Sequence, residues 1–246
     1  MYQEKNKNCV LLYSGGMDSM VLLHQALQIY DNIYILSFDY NQRHRKEIVL
    51  AKEYIEHINS PVTNKIKDYN VVNLGFYSEL ASTSSLTNKN IDVPKMKDII
   101  GHPQSVTYVP NRNMVMLSIA VGYAESVKAE DVLTAVVALD NLSGYWDTTP
   151  EFVNNFNNTI HLNRLNNITI QSPLVNMTKE DIIKEGIKLN VDFSKSWTCY
   201  EGLDKACGVC PSCSGRLSGF IKAGYIDPIE YQIPIDWAKH NCKDIK

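Results

Sequence analysis

Apolar residues along the chain alternate between short continuous runs and longer stretches at helical spacing, the pattern of a parallel sheet with helices packed on it. Residues 10–12 form the first run, and Met20, Val21, Leu22 and Leu23 continue as an apolar helix over about residues 19–30. Ile33 to Asp39 reads as a second buried strand, so the first three elements make a βαβ unit with a right-handed crossover. Ile48, Ala51, Ile55 and Ile58 recur on one face of a helix predicted over residues 43–59, which Pro61 stops. A more polar third strand is predicted at 62–66. Residues 68–105 carry little periodicity beyond a short helix at 74–80, so they read as either a functional lid or a partly disordered loop. A helix at 114–127 is apolar enough to predict that it avoids water. A fourth strand at 132–137, a helix at 150–165 and a fifth strand at 168–170 follow. Thr178, with Glu180 and Asp181 behind it, is the N-cap of a helix running to Leu189. The fold class expected is α/β, a parallel five-stranded sheet with ligands bound beyond the carboxyl ends of its strands.

Length and charge narrow the function. The 246 residues suit one sizeable α/β domain with a small appendage, divided as 1–190 and 191–246. A net charge of −3 lacks the broad basic footprint of a nucleic-acid binder, so a small molecule is the expected substrate. Met1 to Asn8 is polar rather than a signal peptide, and no apolar run approaches the roughly 20 residues that span a bilayer. The expected location is therefore cytoplasmic, without membrane contact.

Chemistry concentrates where predicted strands end. Ser14-Gly15-Gly16-Met17-Asp18-Ser19 follows the first strand and opens the first helix. Two glycines let the backbone approach an anion at the helix N-terminus, a phosphate cradle, while Asp18 and Ser19 stand where a Walker loop has Lys and Ser/Thr. Phe38 and Asp39 end the second strand on the same rim, followed by Gln42, Arg43 and His44. Arg43 suits a phosphate or carboxylate, and a solvated helix start is the competing account of these residues. Arg112 and Asn113 begin the apolar helix, suited to holding an anion or to capping. Gly144, Tyr145, Trp146 and Asp147, with Asp140, offer stacking faces and acceptors for a flat heteroaromatic ring, or else an aromatic-stabilised loop. Lys179, a cation at a helix N-terminus, opposes the dipole and suits a phosphate, although an ordinary surface lysine competes.

Cys199, Cys207, Cys210 and Cys213 form a cluster of metal-ligand spacing in which four sulfurs satisfy a tetrahedral zinc ion. Such a closed site leaves no position for a catalytic water and is structural. An iron–sulfur cluster and sulfur-transferring redox cysteines are the competing assignments. Residues 214–220 are a predicted helix on this site, and the chain from Ile226 is weakly patterned.

The order and spacing of these motifs resemble the 7-cyano-7-deazaguanine synthase family of the ATP pyrophosphatase superfamily. The resemblance runs from Val10 to about Pro228, through Phe-Asp-Tyr-Asn-Gln-Arg-His at 38–44, Tyr-Val-Pro-Asn-Arg-Asn at 108–113, Ser-Gly-Tyr at 143–145 and Thr-Lys-Glu-Asp-Ile at 178–182. It implies a Rossmann-like, adenine nucleotide α-hydrolase-like sheet with a C-terminal zinc appendage, and use of ATP, magnesium and zinc. It also implies a homodimer acting on 7-carboxy-7-deazaguanine and ammonia, with no direct nucleic-acid binding. On this resemblance Ser14, Gly15, Gly16, Met17, Asp18, Ser19, Phe38, Asp39, Arg112 and Lys179 bind nucleotide, and Asp18, Arg112 and Lys179 assist the chemistry. Gln42, Arg43, His44, Asn113, Asp140, Tyr145 and Asp147 bind the deazaguanine. The chain departs from the family at Asn41, where glycine is usual. It departs again over residues 137–149, where one residue is inserted and Val137, Thr148 and Thr149 replace asparagine, cysteine and arginine. The alternative that this departure raises is a divergent ligase that stops at the amide or joins the carboxylate to another amine, for example on a partner protein. A tRNA sulfur-transfer enzyme and a non-catalytic ATP-binding protein stand behind it.

Overall fold

The computed structural model describes residues 7–59, 64–99, 104–137, 144–164 and 167–245. The elements in chain order are β1 (Asn8–Leu12), α1 (Met17–Ile29), β2 (Asn32–Asp39), α2 (Lys46–Ile58), β3 (Ile66–Asn73), α3 (Tyr77–Leu80) and α4 (Arg112–Val127). They continue as β4 (Asp131–Leu133), α5 (Pro150–Ile160), β5 (Thr169–Gln171), α6 (Lys179–Lys188) and α7 (Pro211–Ala223). The strands form one parallel sheet in the order β3-β2-β1-β4-β5. Strand order reverses between β1 and β4, so a crevice opens at the carboxyl end of β1, where the Ser-Gly-Gly turn lies.

Alternation along β1 divides the core in two. Cys9 and Leu11 join Met20 and Leu23 of α1, Ala51 and Ile55 of α2, and Ile182 and Ile183 of α6. Val10 faces the other way, toward Leu117, Ala120 and Ala124 of α4 and Phe152 and Val153 of α5. A sheet covered on both faces needs strands apolar on both sides, which is why β1 and β2 were visible as continuous runs.

The edges of the sheet depart from the predictions. The third strand runs Ile66–Asn73 rather than 62–66; residues 62 and 63 lie outside the described chain. At this edge strand only Ile66 is fully buried, so neither an apolar run nor a clean alternation marks it. The stretch 68–99, expected as a lid or loose loop, is packed. Ser84 and Ser85 are fully buried beside Leu86, and the backbone is held by Arg43 N–H to Leu86 O at 2.8 Å and Met96 N–H to Val209 O at 3.0 Å. Serines that bond local backbone, as Ser84 Oγ does to Leu86 N–H, read as loop however deeply they are buried. β4 stops at Leu133, although Thr134 N–H still reaches Gln171 O at 3.0 Å. α4, predicted to avoid water, buries Leu117, Ala120 and Ala124 fully and leaves Met114 39% exposed. One face of a helix meets the sheet, whatever the composition of the other. α2 begins at Lys46, because residues 43–45 form a turn, and α5 ends at Ile160.

The C-terminal residues share the main core. Phe193 and Phe220, both beyond the boundary expected at 190 and 191, belong to the same buried cluster as β1 and α1 and meet edge to face at 5.4 Å. Tyr225, Trp237 and Ile245 of the weakly patterned end pack against it. Gly186 makes this junction possible, since a Cβ there would lie 2.3 Å from Phe193 Cζ and 2.9 Å from Val21 Cγ2. Gly186→Ala is expected to destabilise the protein by about 1–3 kcal/mol through overpacking. Urea unfolding of the purified variant measures this, and an unchanged midpoint would contradict the packing described.

Candidate active site and metal centre

The loop after β1 is bound from below and open above. Gly15 has φ +82°, and a Cβ on it would lie 2.5 Å from Glu47 O and 3.0 Å from Ala51 Cβ, so only glycine lets the loop lie on α2. Ser19 Oγ donates to Gly16 O at 3.0 Å and lies 3.1 Å from Ser14 Oγ; Ser14 Oγ also accepts from Gly16 N–H at 3.2 Å. No side chain caps α1 at Gly16, leaving the first-turn N–H groups for an anion. Asp18 Oδ2 lies 2.6 Å from Lys179 Nζ, while its Oδ1 is buried and has no hydrogen-bond partner. An orphaned carboxylate oxygen beside a phosphate cradle fits a hard divalent cation. Lys179 is the first residue of α6. It is seated by Gly219 of α7, where a Cβ would approach Lys179 Cβ to 2.8 Å.

Above the loop is a cleft of about 300 Å³. Ser14, Gly16, Met17, Asp18 and Ser19 form its floor, Phe38 closes one side, and Lys179 enters from α6. Arg112, Asn113 and Tyr145 come from the opposite wall. Arg112 Nη1 donates to Tyr40 Oη at 3.0 Å, and Asn113 Nδ2 donates to Asp147 O at 3.1 Å. Tyr145 Oη shares a short hydrogen bond with Thr107 Oγ1, and its ring centroid lies 6.2 Å from that of Tyr108, which accepts from Trp146 Nε1 at 2.9 Å. The Tyr145 ring is thus held from two sides.

Other residues nominated from sequence lie elsewhere. Asp39 pairs with the exposed Arg45 at 2.5 Å, with its Oδ1 accepting from Asn41 N–H. Asn41 has φ +59°, a left-handed conformation that glycine adopts freely and asparagine tolerates. Gln42 is a buried clamp whose Oε1 accepts from Tyr40 N–H at 2.9 Å and whose Nε2 donates to Phe38 O at 3.2 Å. Arg43 points away from the cleft and donates to the carbonyls of Lys89 at 3.1 Å and Ile91 at 2.9 Å. Asp147 is buried behind the wall, where burial pushes its carboxyl up and the Arg112 charge partly offsets that. Gly15 is the part of the loop that rests on α2, and Asp140 is outside the described residues.

The four cysteines meet. The Sγ atoms of Cys199, Cys207, Cys210 and Cys213 all lie within 4.8 Å of one another, and all four residues are buried free thiols. Backbone N–H groups point at the sulfurs: Cys207 to Cys199 at 3.3 Å, Cys210 to Cys207 at 3.3 Å and Cys213 to Cys210 at 3.4 Å. Donors of this kind stabilise thiolates, and four sulfurs with an outer hydrogen-bonded shell fit tetrahedral zinc. α7 begins at Pro211 rather than at 214, because Cys210 is its N-cap and Pro211 its first residue.

Sequence reasoning missed the residues that join this centre to the cleft. Arg216, three residues after Cys213, is fully buried and bidentate to Asp227 at 2.7 and 2.8 Å, with further bonds to Ser196 Oγ at 2.7 Å and Phe193 O at 3.1 Å. Tyr231 Oη donates to Asp227 at 2.6 Å. Trp197 N–H donates to Gly15 O at 3.0 Å, and Lys46 Nζ lies 3.9 Å from the centre of the Trp197 ring. An arginine on an amphipathic helix carries no local sign of burial, so no sequence signal marks this pair.

Similarity to known proteins agrees with this arrangement. The family model described as queuosine biosynthesis protein QueC matches residues 8–224. The 7-cyano-7-deazaguanine synthase of Psychromonas ingrahamii is 42% identical over 231 residues, covering 92% of this chain and 99% of that protein. The 7-cyano-7-deazaguanine synthase of Acetivibrio thermocellus is 43% identical over 230 residues, covering 92% and 98%. Among solved structures, NMN synthetase from Francisella tularensis aligns with a TM-score of 0.51 at 16% identity over 96% of this chain and 82% of that one, a likeness of fold.

Two outcomes are expected of the centre. Asp227→Ala strands a buried guanidinium and should cost about 3–5 kcal/mol in urea unfolding, whereas a near-neutral result would contradict the burial of the pair. Prolonged chelation should remove one zinc per chain and expose residues 197–213 to limited proteolysis; protection unchanged after metal loss would show that the metal does not hold this segment.

Proposed function

The chain belongs to the queuosine biosynthesis protein QueC family, and we propose that it converts 7-carboxy-7-deazaguanine and ammonia to 7-cyano-7-deazaguanine by two rounds of ATP cleavage to AMP and pyrophosphate. The observation that carries the proposal is the convergence of the uncapped α1 terminus, the Asp18–Lys179 pair and Arg112 on one cleft at the switch point of the sheet.

A carboxylate is a poor electrophile, so its oxygen first attacks the α phosphate and pyrophosphate departs. Ser14, Gly15, Gly16, Met17, Asp18 and Ser19 receive the pyrophosphate on backbone N–H groups and hydroxyls. Lys179 and Arg112 offset the charge that develops, an electrostatic and positioning role. Asp18, through its unpartnered oxygen, is the group to hold magnesium, which when bound neutralises phosphate charge. Tyr145 offers its face to the deazaguanine ring and Asn113 a polar edge beside it. Ammonia displaces AMP to give the amide, and adenylation of the amide oxygen allows elimination to the nitrile. Zinc on Cys199, Cys207, Cys210 and Cys213 braces this machinery and takes no part in bond making. The reading extends to a homodimer in the cytoplasm that acts on the free base; among the described residues no helix is long and apolar enough to cross a membrane.

Incubation with ATP, magnesium, ammonium and 7-carboxy-7-deazaguanine, followed by mass spectrometry, is expected to yield the nitrile. An amide that accumulates unconverted would overturn the assigned product, and absence of AMP would overturn the adenylation itself. Asp18→Ala should lower AMP formation by about 100- to 1,000-fold while zinc content stays at one per chain.

A further inference from the structure

One titratable side chain on the cleft wall meets no phosphate-binding residue and is built for a different task. His44 sits in the turn between β2 and α2, is 4% exposed and lines the cleft. Its Nε2 lies 3.3 Å from Glu47 Oε1, and its Nδ1 is buried with no hydrogen-bond partner. Glu47 is itself held. The same Oε1 accepts from Gln42 Nε2 at 3.3 Å, and Gln42 is locked to the backbone of Phe38 and Tyr40. Tyr200 covers the imidazole with ring centroids 5.5 Å apart. Gly202 lets the chain close over the turn, since a Cβ there would lie 3.1 Å from His44 Cα.

With Nε2 turned to a carboxylate, the proton of the neutral imidazole resides there and Nδ1 keeps its lone pair. The remaining charged groups of the cleft do not offer one. Arg112 of α4, Lys179 of α6 and Arg216 of α7 are cations, and Asp18 of α1 has one oxygen on Lys179 and the other given above to magnesium. Tyr40 and Tyr145 hold their phenol groups in hydrogen bonds to Arg112 and Thr107.

We propose that His44 is the proton acceptor when ammonia is captured, with Glu47 as its positioning residue. The proposal rests on the reaction given above. The nitrogen lone pair forms a C–N bond to the acyl carbon of the adenylated carboxylate, and the carbonyl π pair moves onto oxygen. A proton passes from the cationic nitrogen to His44 Nδ1. The oxygen pair then returns, the C–O bond to AMP breaks, and AMP leaves with its electron pair, giving the amide. Glu47 stabilises the imidazolium formed, and the cleft mouth lets the proton go to solvent.

The test compares two rates in the full-length zinc-bound protein: carboxylate-dependent exchange of labelled pyrophosphate into ATP, and amide formation from ammonium. His44→Gln should lower amide formation relative to exchange by on the order of 100-fold, and the deficit should narrow toward alkaline pH. Glu47→Gln should lower amide formation relative to exchange, and Glu47→Asp, which keeps the carboxylate, should restore most of it. In His44→Ala, added imidazole should restore part of the amide rate. Equal loss of both rates in His44→Gln, with no rescue by imidazole, would overturn the proposal, as would a ratio that does not change. If the unaltered protein shows no carboxylate-dependent exchange, the reaction itself fails, a result distinct from failure of the His44 assignment.

Discussion

The site depends on how closely the backbone at Gly15 can be pressed between two parts of the chain. On one side a Cβ would strike the Glu47 carbonyl of α2 at 2.5 Å; on the other, the Gly15 carbonyl accepts the Trp197 N–H at 3.0 Å. Held from both sides in a left-handed conformation, the loop presents its N–H groups in one geometry. A phosphate meeting such a loop pays little to order it, which is the physical meaning of a preorganised anion site.

The bond to Trp197 explains what the cysteine centre is for. Trp197 lies two residues before Cys199, and Trp197 Nε1 donates to Cys199 O at 3.1 Å. Trp197 and the four cysteines are buried together, and a metal held by the four sulfurs would add its binding free energy to the stability of this short segment. Arg216 completes the brace. It ties Phe193, Ser196 and Asp227 together in a fully buried site, where a paired guanidinium is tolerated and an unpaired one is not. Lys179 is positioned by the same region through Gly219, so this lysine and the loop after β1 share one support.

The opposite wall is organised by hydrogen bonds rather than by metal. Tyr40 joins the end of β2 to Arg112 on α4, and Asn113 reaches the carbonyl of Asp147. The turn carrying Gln42 and His44, with Glu47 in the first turn of α2, lies where these two supports meet, beside β2 and the segment around Tyr200. A histidine–carboxylate contact there is fixed from three directions.

Much of the fold was legible because its cause is local. The buried strands β1 and β2, the glycine turn, the Thr178 N-cap and the cysteine spacing each declare themselves within a few residues, since burial on both sheet faces, positive φ, orphan N–H groups and metal ligation select residue types directly. The edge strand β3 and the packed serines at 84 and 85 were not legible, because partial burial and side-chain-to-backbone bonding mimic a loop. Tertiary structure alone decided which charged residues reach the cleft. Arg43 and Asp39 read from sequence as candidate ligands but are engaged with backbone carbonyls and with Arg45, while Arg216 read as nothing and is the most deeply paired charge described. A long side chain reaches several ångströms in directions set by packing, so the motif marks a candidate anion site after β1, and only the folded chain determines which groups stand around it.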